Sequence, residues 1–309
     1  MATAGCGCTG DFGNTGYPDA KAFGVVKGKG FMRNVADDGT RNGFDLTSIT
    51  FGADLLAAIN NPDPSKRLYI FNNINNATAP EADPTFATTD LGERYLTANG
   101  ITNVLWEQWN VNEQFFNQVQ SMCADMGEFE IDVCNNLKGQ KEGTVLYGRP
   151  INKNSYKAKF TPGTATTPSM VGFNYDYDYT TSDANQWQLP ASVFGANLPL
   201  DLKGMLDVNL AITVNSATEL TIVGTLNYGY ANASMAWVGG LTADWSGYSL
   251  SSSAAIVIGS VTETAVAGTY TAVITAPITP GAATLTAFRA ATAPILNGLE
   301  SSATAFISV

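Results

Sequence analysis

Histidine is absent from this chain of 309 residues. Its absence excludes the Ser–His and Cys–His catalytic dyads, the common zinc-hydrolase ligand sets and the histidine pH switch. Charge is also scarce, because Asp, Glu, Lys and Arg make up only 14% of the residues, against about 25% in an ordinary soluble domain. The net charge of −11 disfavours electrostatic binding to nucleic acid. We therefore expect no enzyme and no sequence-specific nucleic-acid partner.

Long apolar runs are missing as well. No stretch reaches the ~18 consecutive apolar residues of a transmembrane helix. Residues 1–19 have neither the basic head nor the apolar run of a secretory signal peptide. The sequence therefore predicts a soluble product that is made in a cytoplasm and is not exported through a signal peptide.

Cysteine occurs at four positions, Cys6, Cys8, Cys123 and Cys134. A C-x-C pair and a C-x10-C pair do not match the close C-x2-4-C pairs of structural zinc sites. In a cytoplasmic product we expect free, mostly buried thiols. A metal cluster and a disulfide formed during assembly are the alternatives.

Charge is distributed unevenly along the chain. Residues 204–309 carry six charged side chains, and all others lie in residues 1–203. A free domain with so few charges would be sparingly soluble, so we expect other protein copies to cover much of its surface. The change in composition, together with Pro190 and Pro199, predicts a linker over 190–203. We therefore expect an extended N-terminal arm over 1–44, a first domain over 45–189 and a second over 204–309.

Hydrophobic patterning predicts β structure in both blocks. The strand candidates are 67–74, 94–109, 128–137, 143–149, 155–162, 171–180, 207–215, 220–230, 254–266, 268–277, 283–290 and 303–309. Helical spacing of apolar residues predicts helices within 45–60 and 112–126, and one or two helical turns within 291–301. Residues 75–92 are interpreted as a long polar loop. Several short strands at regular spacing are typical of an all-β sandwich or barrel.

Carboxylates are the available acid–base groups, and tryptophans and tyrosines near them could stack on sugars. These residues are Glu107, Glu113, Glu128, Glu130, Asp132, Asp176 and Asp178, with Trp106, Trp109, Tyr175, Tyr177 and Tyr179. A glycosidase needs two such carboxyl groups ~5–10 Å apart. The acids of 128–132, however, alternate with apolar residues, which favours the solvated face of a half-buried strand. The tryptophans 106, 109, 187, 237 and 245 are expected in barrel cores or subunit seams. We therefore predict no catalytic and no cofactor-binding residues.

Two features of the N-terminal segment could bind ions. Asp37, Asp38, Asn42 and Asp45 supply the oxygen ligands that Ca²⁺ takes, but no EF-hand spacing is present. We interpret them as an Asp/Gly turn, predict no metal residues and no cofactor, and keep a structural calcium ion as the alternative. The basic residues are Lys21, Lys27, Lys29, Arg33 and Arg41, offset by Asp19, Asp37 and Asp38. They could contact an anionic surface such as lipid, or form a solvated arm.

Three features carry a resemblance to a known family. They are the break at 190–203, the strand series on each side of it, and a late helix candidate in each block (NEQFFNQVQSM and ATAPILNGLES). In these features the chain resembles the double jelly-roll major capsid proteins of icosahedral phages that contain an internal membrane. The resemblance implies two tandem eight-stranded jelly-roll domains with a few short helices. It also implies trimeric capsomers, a location in the virion, contacts with other virion proteins, and an N-terminal arm near the membrane.

Two other functions are compatible with the same composition. One is a tail-tube, ring or decoration protein of a tailed phage with an immunoglobulin-like C-terminal domain, for which we expect a long hairpin and a hexameric ring. The other is a surface adhesin or carbohydrate-active β protein, for which we expect a stable monomer and an export signal. In the virion interpretations the chain acts by self-assembly, in which charge-poor faces are buried against neighbouring copies.

Overall fold

The computed structural model describes residues 24–61, 63–80, 85–90, 93–98, 100–111, 113–120, 125–178, 185–226, 235–236, 238, 245–249, 252–278, 280–287, 297–300 and 304–308. Within these ranges the protein is mostly β, as the sequence predicts. The chain divides into two compact units, Met1–Lys203 and Gly204–Val309. No helix in the described ranges is long and apolar enough to cross a membrane.

The first unit has the following strands: β1 (Val26–Arg33), β2 (Phe44–Asp45), β3 (Tyr69–Asn72), β4 (Asn75–Thr78), β5 (Thr85–Thr88), β6 (Arg94–Ala98), β7 (Asn103–Trp109), β8 (Met126–Asp132), β9 (Leu137–Glu142), β10 (Val145–Tyr147), β11 (Arg149–Pro150), β12 (Lys157–Thr161), β13 (Met170–Asp176) and β14 (Gln186–Leu189). Its helices are α1 (Phe51–Ile59) and α2 (Glu113–Gln120), with short 3-10 turns at Pro64–Lys66, Ala191–Val193 and Pro199–Asp201. Both helices fall inside the segments that apolar spacing predicts to be helical.

Antiparallel sheets organise the first unit. The first sheet has the order β2-β10-β9-β8-β1-β3, with β11 against β8 and β14 against β9. The second sheet has the order β12-β13-β7-β4, and β5 pairs with β6. Successive residues of β1 join different cores: Phe31 packs with the second sheet, and Met32 packs with α1. Because side chains alternate across a strand, the centre of the first sheet is covered on both faces.

The predicted N-terminal arm over 1–44 is wrong for its described part, because β1 is a central strand. It pairs with both β3 and β8. Atoms of neighbouring residues lie close to Gly28 and Gly30 of this strand. A Cβ on Gly28 would come 2.8 Å from Asn72 Oδ1, and one on Gly30 would come 3.1 Å from Leu68 Cδ1. Small residues are required there for packing, and the same residues make the segment look like irregular coil in sequence.

Residues 190–203 are not a free linker. Phe194 and Leu202 are buried in the core that contains α1, and the backbone carbonyl of Phe194 lies directly over Gly52 of that helix. Asn72 also donates side-chain hydrogen bonds to the carbonyls of Pro199, Leu200 and Leu202, the last at 2.6 Å. The segment therefore completes the first unit.

The second unit has the following strands: β15 (Lys203–Ser216), β16 (Glu219–Leu226), β17 (Met235–Ala236), β18 (Trp245–Ser249), β19 (Ala254–Ile256), β20 (Ile258–Glu263), β21 (Thr269–Ile274), β22 (Gly281–Ala287), β23 (Asn297–Glu300) and β24 (Thr304–Ser308). Residues 297–300, which lie in the segment predicted to be helical, form a strand. The remainder of that prediction, over 291–296, lies outside the described residues.

The strand order of the second unit is that of an immunoglobulin-like sandwich. One sheet has the order β20-β21-β16-β15-β23, with β17 against β16, and the other has the order β19-β18-β22-β24. With β15, β16, β20 and β21 as strands A, B, D and E, and β18, β22 and β24 as C, F and G, this is the ABED/CFG arrangement with β19 added beside C. It differs from the predicted jelly roll, in which two Greek keys make the sandwich. Apolar residues from both sheets share one core.

Candidate functional site

The carboxylates of β8 do not lie on a solvated face. Glu128 and Asp132 are 1% and 0% exposed, while Phe129 and Ile131 are buried on the opposite face of the strand. The alternation of charged and apolar residues predicts the strand correctly, but its predicted solvent exposure is wrong. Both faces of β8 are covered, and the charged face meets a cation from the neighbouring strand.

That cation is Lys29 of β1, which is 1% exposed and contacts the Oε1 atom of Glu128 through its Nζ. The Tyr175 hydroxyl, on β13 of the second sheet, donates to Glu128 Oε2 at 2.8 Å. Trp106 of β7 donates its indole N–H to the Tyr175 oxygen at 3.2 Å. The four side chains form a buried polar chain between the two sheets.

A second carboxylate lies at the edge of this chain. Glu130 is directly opposite Lys29 in the β1–β8 register, and its Oε1 is 3.5 Å from Lys29 Nζ. Its Oε2 is 3.5 Å from the Nζ of Lys138 on β9. One lysine therefore lies between two carboxylates, and a further lysine flanks the outer carboxylate.

Burial shifts the acidity of this cluster. Removal from water raises the pKa of Glu128, with the charge of Lys29 acting against the shift and that of Glu130 adding to it. Burial, and then the nearby Glu128 charge, raises the pKa of Tyr175 well above its usual value. The same two causes raise the pKa of Tyr177. Each group thus favours its neutral form relative to water.

A small pocket adjoins Glu128. It is lined by Glu128, Glu130, Lys138, Gly139, Gln140, Arg149, Tyr177 and Gln186. Its cavity volume is about 10 Å³, the space of roughly one water molecule. The Arg149 guanidinium lies 3.7 Å from the centre of the Tyr177 ring. A cavity of this size does not admit a sugar or another organic ligand, for which pockets of about 300–1,000 Å³ are usual.

The other acids predicted as candidates lie in separate environments. Glu107 accepts hydrogen bonds from Trp109 Nε1 at 2.8 Å and from Asn76 at 2.7 Å. Asp176 accepts from Asn103 at 2.7 Å. Glu113 is exposed and Asp178 is half-buried. The carboxylates of Glu107 and Asp176 therefore hold neighbouring side chains in place.

The aromatic candidates are divided between core and surface. Trp106, Tyr175 and Tyr177 are buried, so the ring faces proposed for sugar stacking are enclosed in the first unit. Trp109 and Trp187 are 38% and 46% exposed, so they do not fill a core, and their place in a subunit seam stays a prediction. Tyr179 and Trp237 lie outside the described residues, as does the Trp245 side chain.

The candidate ion-binding residues of the N-terminal segment are paired within the fold. Asp37 forms an ion pair with Arg33 at 2.8 Å, and Lys66 lies 2.6 Å from Asp38. Arg41 pairs with Glu142. Among the described residues no group of three or more Asp, Glu, Cys or His side chains has a metal-binding arrangement.

Two more of these residues have local roles. Asn42 donates its side-chain N–H to the carbonyls of Arg33 and Ser65, both at 2.8 Å. Asp45 accepts from the Thr47 backbone at 2.9 Å. Lys27 is exposed, and Asp19 and Lys21 lie outside the described residues. The N-terminal cations therefore form no continuous basic face in the described residues.

Cys134 is disulfide-bonded, so the prediction of free thiols is wrong at this position. Cys6, Cys8 and Cys123 lie outside the described residues. Cys134 follows Asp132, whose buried carboxylate accepts from the backbone N–H groups of Gly24, Cys134 and Asn136, each at 2.8 Å. These hydrogen bonds explain how Asp132 is buried without a cation.

A long hairpin, with β4 and β5 on one side and β6 and β7 on the other, is the second notable feature of the first unit. Its paired positions are Asn75 with Glu107, Thr78 with Leu105, Thr85 with Ala98 and Thr88 with Arg94. Between them, the Asn103 N–H donates to the Pro80 carbonyl at 3.0 Å. The base belongs to the second sheet through β7, whereas β5 and β6 pair with each other and with no other described strand.

The outer end of the long hairpin exposes apolar side chains. Phe86 and Tyr95 are 46% and 54% exposed, although Arg94 lies over the Phe86 ring at 4.6 Å. The prediction of a polar loop over 75–92 is therefore wrong, because β4 and β5 form within it. The signal was available as two β-rich segments, TFATT and RYLTA, on either side of the turn residues DLGE.

Comparisons with known proteins assign no family. No protein-family model matches the chain, and no curated protein matches it. Among solved structures, the N-terminal part of the bacterial S-layer protein SbsC overlaps 38% of this chain and 25% of its own length. The identity is 15% and the TM-score is 0.26, so this overlap carries no argument about fold or function.

Proposed function

We propose that this chain is a structural subunit of a virion that assembles with copies of itself, in the manner of a tail-tube, ring or decoration protein. The observation that supports this proposal is the long hairpin. An isolated two-stranded hairpin is marginally stable in water. Its outer strands, β5 and β6, therefore need a surface to pack against, and a second copy of the chain is the partner we propose.

The exposed side chains of the hairpin suit such a contact. Phe86 and Tyr95 are aromatic, and aromatic residues are enriched where interfaces are fully buried. Charged side chains near them already contact the hairpin, because Tyr95 donates to Glu93 at 2.6 Å and Arg94 stacks on Phe86. Packing against a neighbour would bury the apolar area of both rings.

The second unit supports an assembling role in a different way. Its immunoglobulin-like strand order is the order expected for the tail-protein interpretation, whereas the double jelly-roll capsid interpretation requires another sandwich topology. Six charged residues over 204–309 leave a weakly charged surface, which fits burial against other proteins. We therefore prefer the tail-tube, ring or decoration form to the trimeric capsomer.

The test is the mass of the full chain by light scattering, with negative-stain images of the same fraction. We expect a hexameric ring or a stack of rings. Phe86→Ser combined with Tyr95→Ser should weaken self-association about tenfold or more for each side chain. Ile49→Ser is the matched control, because Ile49 is 96% exposed in the first unit but outside the hairpin, and it should assemble as the wild type does.

Other outcomes would redirect or end the proposal. A trimer with a triangular outline would overturn the ring form in favour of the capsomer. Equal assembly of the double variant and the wild type would exclude the hairpin as the contact. A wild-type chain that stays monomeric at high concentration would overturn self-assembly altogether.

A surface adhesin is the second candidate function, and the disulfide at Cys134 favours it. Disulfides persist mainly outside reducing cytoplasm. An adhesin would be a monomer with an oxidised Cys134 that binds a glycan panel. A chain that assembles, or a monomer that binds no glycan, would contradict this candidate.

A further inference from the structure

The Lys29–Glu128 pair has surroundings in which an ordinary salt bridge is costly. Both side chains are at most 1% exposed, and the aromatic rings of Trp106 and Tyr175 occupy the same buried chain. Desolvation of two charges can outweigh their attraction. Transfer of one proton from the ammonium to the carboxylate leaves a neutral amine in contact with a neutral carboxylic acid. A desolvated lysine amine is an activated nucleophile.

We propose that Lys29 and Glu128 condense to an isopeptide bond that ties β1 covalently to β8. The pair is in place within one folded unit, since the two strands are hydrogen-bonded neighbours in the first sheet and Nζ contacts the carboxyl group it would attack. Holding the two reacting groups in contact removes much of the activation barrier that a bimolecular reaction would have. The bond is a modification of this chain by itself and needs no partner protein.

The step balances without an added reagent. The Lys29 ammonium gives a proton to Glu128 Oε1, and the Nζ lone pair then attacks Cδ of Glu128. The C–N bond forms, the Cδ–Oε1 bond breaks, and Oε1 leaves as water after taking the second proton released by Nζ. No atom changes oxidation state, and the products are one amide and one water molecule.

Neighbouring groups fit the needs of this step. The Tyr175 hydroxyl, hydrogen-bonded to Glu128 Oε2 at 2.8 Å, stabilises the negative charge that forms on that oxygen during attack. Glu130, 3.5 Å from Nζ, can take the second proton from nitrogen and pass it to the leaving oxygen. Lys138 lies 3.5 Å from the other oxygen of Glu130 and flanks this carboxylate on the side away from Lys29.

The pocket beside Glu128 suits the product. Its volume of about 10 Å³ matches one water molecule, and Glu128 and Glu130 are both part of its lining. The departing water therefore has a polar space of its own size beside the Glu128 side chain. Larger reagents are excluded, which keeps the reaction within the chain.

The test is the mass of the full chain after reduction and denaturation, followed by a tryptic peptide map. We expect a mass lower than that of the sequence by one water molecule, and a branched peptide that joins the segments containing Lys29 and Glu128. A mass equal to that of the sequence would overturn the proposal. Loss of water with unlinked peptides would also overturn it, because Asp38–Gly39 can dehydrate to a succinimide.

Variants then test the assigned roles. Lys29→Arg keeps the charge but removes the nucleophile, so no linked peptide should form; if this variant does not fold, the wild-type peptide map still decides. Glu130→Gln should lower the linked fraction in freshly expressed protein, since general acid–base catalysis ordinarily contributes ~10²-fold or more. Glu142→Gln is the matched control on a neighbouring strand and should remain fully linked. Complete linkage in Glu130→Gln would remove the assigned role of Glu130.

Discussion

The two units reach a β architecture through different core chemistry. In the described residues, all fully buried polar and charged side chains belong to the first unit, among them Lys29, Glu128 and Asp132. The core of the second unit is built from aliphatic residues and alanine with Tyr270 and Phe306. One unit therefore depends on paired charges and hydrogen bonds, and the other relies on the fit of apolar side chains.

The difference shows how each unit fixes its strand register. In the second unit, Leu220 faces Ala272 and Ile222 faces Tyr270 across β16 and β21, so a slip of one residue would expose the apolar set. In the first unit both faces of β8 are covered, and a slip would instead separate Lys29 from its carboxylates. Buried ion pairs can supply such specificity even where they add little stability.

The largest effect is expected from Lys29→Met, which removes the lysine partner of the buried Glu128 carboxyl, whether the pair is ionic or joined as the proposed amide. Removal of one partner of a buried pair costs about 3–5 kcal/mol. Denaturant unfolding of the full chain, followed by hydrogen exchange of peptides from 24–203, measures the loss. The double change Lys29→Met with Glu128→Leu should recover part of it, since no buried charge then remains.

An exposed pair in the same unit provides the control for this loss. Arg41 and Glu142 have side-chain exposures of 41% and 42%, so solvent screens their attraction. Arg41→Met should change stability by about 1 kcal/mol or less. Equal losses of stability in Lys29→Met and Arg41→Met would mean that a buried pair stabilises this unit no more than an exposed one. The contrast between the units would then weaken.

A core change in the second unit tests whether the units unfold separately. Ile222 is fully buried, and Ile222→Ala should cost about 2–5 kcal/mol. Hydrogen exchange should show faster exchange for peptides from 204–309 and unchanged exchange for those from 24–203. Val223→Ala is the matched control, because Val223 is 40% exposed on the next position of the strand. Faster exchange in both units would show that they unfold together.

A smaller effect tests how far the first unit extends. A Cβ on Gly52 of α1 would overlap the backbone carbonyl of Phe194, so Gly52→Ala should destabilise by about 1–3 kcal/mol. Gly172→Ala on β13 is the control, since no atom lies within 4 Å of its added Cβ, and it should be neutral or slightly stabilising. If Gly52→Ala is also neutral, 190–203 is not packed on α1 in solution.

Sequence patterns predicted the β class, both helices of the first unit and most strands, because those features follow from local alternation and helical spacing. The pattern failed at β1. Gly28 and Gly30 are needed where Leu68 and Asn72 approach the strand, and such an approach comes from residues distant in the chain. Local composition therefore indicated coil where packing produces a central strand.

The buried pair was hidden for a related reason. Glu128 and Glu130 alternate with apolar residues whether the charged face meets water or a lysine, so the sequence gives the same signal for both. The partner, Lys29, is distant in sequence, and only the β1–β8 register brings it opposite Glu130. The disulfide at Cys134 was missed because free thiols were expected from the predicted cytoplasmic compartment, where disulfides are rare.

The smallest effect concerns pH, and it should be confined to the charged first unit. Lys66, hydrogen-bonded to Asp38, lowers the pKa of that carboxyl from 3.8 to about 2. A carboxyl with a depressed folded pKa stabilises the fold above its unfolded pKa, and this contribution is lost as the pH falls through the folded value. Asp38→Asn should therefore unfold more easily than the wild type at pH 6, and the difference should shrink steadily between about pH 4 and pH 2.

Salt dependence provides a second measurement on the same variant. Asp38 is exposed, so added salt should also reduce the difference in stability between Asp38→Asn and the wild type at pH 6. A difference that is constant with pH and with salt would mean that the amide substitution alters the turn itself. The charge of Asp38 would then contribute nothing, and the contrast between a charge-dependent first unit and an apolar second unit would rest on the buried pair alone.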